Sequence, residues 1–219
     1  MQQNLIDVHI IKPLHHHDLT DIWLDQCLAS IENEPINVFY VDPVKDDIRQ
    51  ARRNGFEQGD APYVSFVDPD DYIIPGGFDV CLKHINDAVC GVYTTSNRLI
   101  GNDLIPIHQF RPYEQSIILN NLIEIHQLVV MDRKIVNHVL NTYYDYIPPI
   151  VLEAPCLYAL MSMFKPWLAI DHVGYVWRQH NFNPAHNHKL TPASNASSVS
   201  DSIKNIRSII AGYNSNTLQ

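Results

Sequence analysis

Tyr63-Val64-Ser65-Phe66-Val67-Asp68-Pro69-Asp70-Asp71-Tyr72-Ile73-Ile74-Pro75-Gly76-Gly77 is the stretch that decides the fold. Its apolar opening, rich in Val and aromatic residues, reads as a buried strand that delivers three carboxylates into one tight turn. A strand of this kind belongs in a parallel sheet covered by helices, and such sheets bind ligands at the carboxyl ends of their strands. Carboxylates at this density suit a hard divalent cation, Mg2+ or Mn2+, which in turn bridges the phosphate oxygens of a nucleotide. Read alone, Asp68-Pro69-Asp70-Asp71 is also a solvated acidic turn, because short motifs recur by chance.

The flanking sequence supplies the rest of the sheet. Upstream, Leu5 to Ile11 is a short apolar run closed by Lys12-Pro13, and Asn37 to Val41 is a second strand ended by Asp42-Pro43. Between them Ile22, Trp23, Cys27, Leu28 and Ile31 recur at helical spacing behind a cap at Asp18 or Thr20. Asp46 to Gly59 suits a short surface helix. The order is therefore βαβαβ, which predicts an α/β fold with a Rossmann-like, mostly parallel sheet and helices on both faces. Asp42 and Asp68 both fall at carboxyl ends of strands. Downstream, the patterning predicts helices over Gly76 to Ile85, Arg133 to Leu140 and Glu153 to Phe164, the last with Pro155 in its first turn. Strands are predicted over Ala88 to Thr94, His126 to Met131 and Ala169 to Arg178. Asn181 to Ser200 turns to Asn, His, Pro and Ser and reads as a loop or lid, before helical spacing returns at Asp201 to Ile210. The expected organisation is a domain over residues 1–190, with a loop and C-terminal helix over 191–219 packed on it or extending from it.

Composition narrows the function. With 219 residues and 46% hydrophobic content the chain is long enough for one sizeable core. Fifteen basic against 24 acidic residues give a formal charge of -9, which argues against a broad phosphate-binding surface for duplex nucleic acid. The N-terminus lacks the cationic and apolar regions of a leader, and no apolar run approaches the length of a membrane span, so the expectation is a cytoplasmic protein. Cys27, Cys81, Cys90 and Cys156 have no CxxC spacing, and three of them sit in apolar contexts typical of buried thiols. Asn195-Ala196-Ser197 matches a glycosylation sequon, taken as accidental without a secretory leader.

Several pieces resemble the family 2 glycosyltransferases of the GT-A fold: Pro13 after strand one, Asp42 after strand two, Arg52-Arg53-Asn54-Gly55, Gly59, Tyr63 through Asp71, and Pro75-Gly76. Weaker pieces are Met131-Asp132-Arg133 and Trp177-Arg178-Gln179-His180. The resemblance covers roughly residues 5 to 188. It implies transfer of a sugar from a nucleoside-diphosphate sugar, a UDP-sugar by the family's habit, to an acceptor hydroxyl with Mn2+ or Mg2+. Pro13 and Asp42 would line the nucleotide site, with Asp42 on the base. Arg53 would lie near the base or diphosphate, Asp68 would reach the ribose, and Asp70 and Asp71 would hold the metal. A histidine completes the metal site in many such enzymes, and His180 is the match, with His188 second; both also read as members of an exposed polar loop. His15, His16 and His17 read as surface loop.

An inverting transferase needs a carboxylate to take the acceptor's proton, and family 2 members supply it from a Glu-Asp pair opening a helix. Here the pair reads Glu153-Ala154. Either Glu153 is the base, or Asp145 serves, or the inverting step is absent. Two other readings stay open: a nucleotide-sugar-binding module without transfer activity, and a nucleotidyltransferase, which would want a Gly-rich basic loop where Lys12-Pro13-Leu14-His15 stands. The acceptor, whether glycan, lipid, protein or modified nucleobase, and the oligomeric state are not legible.

Overall fold

The computed structural model describes residues 4–13, 18–106, 128–149, 153–180 and 193–217. Among these, eight strands form one sheet: β1 (Ile6–Ile11), β2 (Ile36–Val41), β3 (Tyr63–Phe66), β4 (Tyr72–Ile73), β5 (Gly91–Ile100), β6 (Asp103–Pro106), β7 (Val129–Asp132) and β8 (Trp167–Gln179). Their order is β2-β1-β3-β7-β5-β8-β4, with β6 on β5. β1 is parallel to β2 and β3, and β5 to β8. β7 is antiparallel to β3 and β5, β4 to β8, and β6 to β5. β1, β2, β3, β5 and β8 thus run one way against three strands running the other, so the sheet is mostly parallel.

Helices cover both faces, as the patterning predicts. They are α1 (Asp18–Ile31), α2 (Ile48–Phe56), α3 (Gly77–His84), α4 (Arg133–Tyr143), α5 (Glu153–Met161) and α6 (Ala193–Thr217), with a 3-10 turn at Tyr144–Tyr146. Alternation along β1 decides which face each residue serves. Ile6, Val8 and Ile10 pack with Cys27 and Ile31 of α1 and Phe78 and Cys81 of α3. Asp7 and His9 turn to the opposite face, where the His9 ring meets Phe56 of α2 edge-on at 5.5 Å. That second layer gathers Val64, Val129 and Met131 with Val136 and Val139 of α4, Leu157 and Leu160 of α5, and Ile206 and Ile210 of α6. Each fully buried aliphatic side chain stabilises by about 1.5–3 kcal/mol.

Two aspartates fix helix starts. Asp47 caps α2 by accepting from the Gln50 amide at 2.9 Å, and Asp132 caps α4 by accepting from Lys134 at 2.8 Å and Ile135 at 3.2 Å. Such caps are worth about 1 kcal/mol each. The structure departs from the sequence reading in four places. β4 and β6 were not expected. β5 runs on to Ile100 rather than ending at Thr94. α6 begins at Ala193, inside the Asn- and Ser-rich stretch read as loop; its anchors, Ile206 and Ile210, lie farther along. No helix among the described residues is long and apolar enough to cross a membrane. All four cysteines are free and buried.

Candidate functional site at the carboxyl ends of the strands

β1, β2 and β3 are adjacent and parallel, so the residues following them emerge side by side. Lys12 after β1 and Asp42 after β2 form an ion pair, Nζ to Oδ1 2.7 Å, and the Asp42 side chain is 86% exposed. Pro13 follows, half-buried. The acidic turn after β3 closes when the Asp71 amide donates to the Asp68 carbonyl at 3.0 Å. From β8 on the far side come Tyr175 and Arg178, with His180 just past the end of the strand. The sheet therefore brings Asp42, Asp68, Asp70, Asp71 and His180 to one end.

The three carboxylates of the turn have different surroundings. Asp68 is half-buried, with Oδ1 3.6 Å from Nη2 of Arg52. Asp70 places Oδ2 2.8 Å from Nε2 of His180, both side chains partly exposed. The Asp71 carboxylate is sealed at 1% exposure: Oδ2 accepts from the Tyr175 hydroxyl at 2.6 Å and Oδ1 from the Arg178 amide at 2.7 Å. Burial, with Asp70 and Asp68 adding repulsion, pushes its pKa well above the ordinary carboxylate value. Beneath the turn, burial and the same aspartates push the Cys27 thiol up to about 12, which keeps it protonated, and its Sγ donates to the Asp68 carbonyl at 3.8 Å.

A second side of His180 is held by an aromatic ring. The imidazole lies 4.3 Å from the Trp23 ring, tilted by 31°. Arg178 lies over the same Trp23 at 5.2 Å, donates from Nε to the Asp70 carbonyl at 2.9 Å, and from Nη2 to Gln26 at 2.7 Å. Trp23, buried at 9% exposure, thus forms one wall around His180.

A divalent cation fits between Asp70 and His180. Two ligands at about 2.1 Å in adjacent octahedral positions stand about 3 Å apart, close to the Oδ2 to Nε2 separation. No cluster of three or more His, Cys, Asp or Glu that could hold a metal occurs among the described residues. A cation here would draw the rest of its shell from water and ligand oxygens, as Mg2+ does. His188, and His15 to His17, lie outside the described residues.

The two adjacent arginines of α2 have different partners. Arg53 points away from the turn, with Nη2 3.4 Å from Asn141 of α4, Nε 3.4 Å from Glu57, and its guanidinium over the Tyr144 ring. Arg52 is the one that reaches Asp68. Successive helical residues sit about 100° apart, so only one of the pair can face the turn. Arg52 is 7% exposed, stacks 3.6 Å over the Phe66 ring and donates from Nη1 to Glu153 at 2.6 Å. Burial opposes its charge, but Glu153 and Asp68 outweigh that and hold its pKa up.

Glu153 opens α5 at 3% exposure, its carboxylate committed to Arg52. Asp145 is exposed on the 3-10 turn. The sequence reading missed the roles of Arg52, Trp23 and Tyr175. Arg178 stood in a quoted motif without a task.

No protein-family model matches the chain, and comparison with curated proteins finds no match. Its fold is similar to crystal structures of S. aureus TarS. With TarS 1-349 in complex with UDP-GlcNAc the TM-score is 0.66 at 12% identity, covering 95% of this chain and 66% of that one. With TarS 1-349 alone it is 0.56 at 12% identity, covering 79% and 60%. With TarS 1-349 in complex with UDP it is 0.55 at 12% identity, covering 80% and 60%. The chain thus spans less than two thirds of the length of these structures. At such identity the likeness establishes the fold, a GT-A-like, Rossmann-type α/β architecture.

Proposed function

We propose that this chain binds a nucleoside-diphosphate sugar across the carboxyl ends of β1, β2 and β3 and transfers the sugar to an acceptor hydroxyl. The observation that carries this reading is the meeting of Asp70 with His180, in the same turn as Asp68, at that end of a GT-A-like sheet. A structure of the same fold, TarS 1-349, is a complex with UDP-GlcNAc. The donor is a UDP-sugar, with Asp42 and Pro13 toward the base and Asp68 toward the ribose. Asp70 and His180 would hold Mn2+ or Mg2+, which supplies neutralisation of the charge on the departing diphosphate. Arg52, held by Glu153, orients Asp68 and lends the diphosphate region a buried positive charge. The acceptor is a glycan, lipid, protein or modified nucleobase, and Asp145 and Glu153 are the carboxylates offered for its proton, giving inversion.

One observation favours a second reading, a nucleotide-sugar-binding module without transfer. Glu153 is buried and paired with Arg52, and its neighbour is Ala154. A carboxylate that anchors an arginine is poorly placed to take a proton from an acceptor.

Thermal stabilisation separates these. A panel of nucleoside diphosphates and sugar nucleotides, each with and without Mn2+, is run on the native chain and on Asp70→Asn. A ligand at a hundred times its Kd adds about 2.7 kcal/mol, which for a chain of this size raises Tm by about 5–10 °C. The expected result is such a shift for one nucleotide, dependent on Mn2+ and lost in Asp70→Asn. No shift with any nucleotide would sink the donor-site reading. Release of free nucleoside diphosphate in the presence of acceptor mixtures marks a transferase; a shift with no release under any acceptor marks a binding module.

A further inference from the structure

We infer that Asp71 is a positioning residue that pins the end of β8 so that His180 meets Asp70. This rests on the donor-site reading above and divides labour within it: Asp70 presents an accessible oxygen, and Asp71 builds the wall that brings the imidazole to it.

The geometry is a short clamp. β4 pairs with β8 for only two residues, Tyr72 with Val176 and Ile73 with Tyr175. One residue earlier the backbone ladder stops and the Asp71 side chain takes over. Its Oδ1 accepts the Arg178 amide at 2.7 Å, and its Oδ2 accepts the Tyr175 hydroxyl at 2.6 Å. One carboxylate thus holds β8 at two points three residues apart. Two residues past the second point stands His180, with Nε2 2.8 Å from Asp70. Arg178 strengthens the clamp by donating from Nε to the Asp70 carbonyl at 2.9 Å. At 1% exposure Asp71 offers no open side to a cation that keeps several waters. A metal ligand and a strand clamp therefore occupy consecutive positions in the turn.

Asparagine distinguishes the two roles. Its oxygen still accepts the Arg178 amide, and its NH2 can donate to the Tyr175 hydroxyl, so a clamp survives; a metal-ligating carboxylate does not. The experiment compares native chain, Asp71→Asn, Asp71→Ala and Asp70→Asn in two readouts. The first is Mn2+ affinity in the presence of UDP. The second needs neither metal nor nucleotide: the rate at which diethyl pyrocarbonate modifies His180, resolved by peptide mass spectrometry. Exposed His84 serves as the reference and buried His9 as the check on folding.

Asp71→Ala should weaken Mn2+ binding at least tenfold and raise the His180 rate several-fold over His84. Asp71→Asn should stay within about threefold of native in both. Asp70→Asn should lose Mn2+ as Asp71→Ala does. If Asp71→Asn loses Mn2+ as fully as Asp70→Asn, Asp71 is a ligand and the inference fails. It also fails if Asp71→Ala leaves the His180 rate unchanged. Should Asp71→Ala expose His9, Tyr175→Phe replaces it: it removes one of the two bonds and should raise the His180 rate by a smaller factor, no change again refuting the clamp. If the native chain binds no Mn2+ with UDP, the donor-site reading falls, and the modification rates alone decide the clamp.

Discussion

The two ends of the sheet use buried carboxylates in opposite ways. At the amino end, Asp7 of β1 is fully buried and surrounded by donors: Arg133 at Oδ2, the Ala61 amide at 2.9 Å, and Asn37 at 2.8 Å. Arg133 spends its other nitrogens on the carbonyls of Ala61 and Phe56, both at 2.6 Å. At the carboxyl end, three aspartates crowd one turn, and Asp71 has both oxygens engaged by β8 donors. The first arrangement closes a charge inside the fold. The second leaves acceptors facing outward, with Arg52 and His180 beside them. A carboxylate saturated by donors holds structure, whereas neighbouring carboxylates in one turn repel one another and favour a positive partner.

That contrast is broken most severely at the amino end. Asp7→Ala strands Arg133, 12% exposed, without its anion, and should cost about 3–5 kcal/mol in denaturant unfolding. A cost below about 1 kcal/mol would mean the pair is not structural. Next is Gly59→Ala. Gly59 has φ +74, and an added Cβ would lie 2.2 Å from Oδ2 of Asp7, so strain and collision together should cost about 2 kcal/mol or more. A neutral result would show that the Asp7 pocket has slack.

The two regions should also tilt stability with pH in opposite directions, each by about 1 kcal/mol or more per unit of pKa difference. Asp71 titrates above its ordinary 3.8 when folded. The folded state then keeps a proton that the unfolded chain loses, so stability falls as pH rises from about 3.8 through the raised value. Asp71→Asn should remove that slope. His9 is depressed from 6.5 by burial, with Arg133 adding to it against the carbonyls of Gln58 and Ser65. The unfolded chain then takes up the proton first, so stability falls as pH drops from 6.5 through the lowered value. His9→Gln should flatten that limb, and persistence of either slope in its variant would reassign it. The smallest effect is Asp70→Asn. It should shift unfolding by less than about 0.5 kcal/mol while abolishing the Mn2+-dependent nucleotide shift.

The sequence made one half of this contrast much plainer than the other. The apolar run before Asp68 and the carboxylates after it announce a strand and an acidic turn, because both signals are local. The βαβαβ order followed from the same periodicities. Arg52 and Arg53 were inseparable by pattern: both are charged, adjacent and follow a buried alanine, and only the seating of α2 on β1 and β2, which turns Arg52 toward Phe66 and Glu153, decides which reaches Asp68. β4 was invisible because two residues carry no alternation, and it exists through pairing with a strand a hundred residues away. Ser and Asn at the start of α6 signal loop by composition, while the side chains that seat the helix come a dozen residues later. Gly59 was quoted as a motif position, but its reason, the oxygen of Asp7 beside it, required the fold.

His180 lies 110 residues from Asp70, and Glu153 lies 101 from Arg52. Closing such spans costs chain entropy before any contact repays it. As the ribosome delivers the chain, β1 to β3 can pair and the acidic turn can form long before β8 has been made. A nascent chain ending before Trp167 carries the carboxylates but neither the strand that orders Asp71 nor the imidazole that faces Asp70. Binding at the proposed donor site should therefore appear abruptly, with the arrival of β8, rather than grow in as β1 to β3 pair.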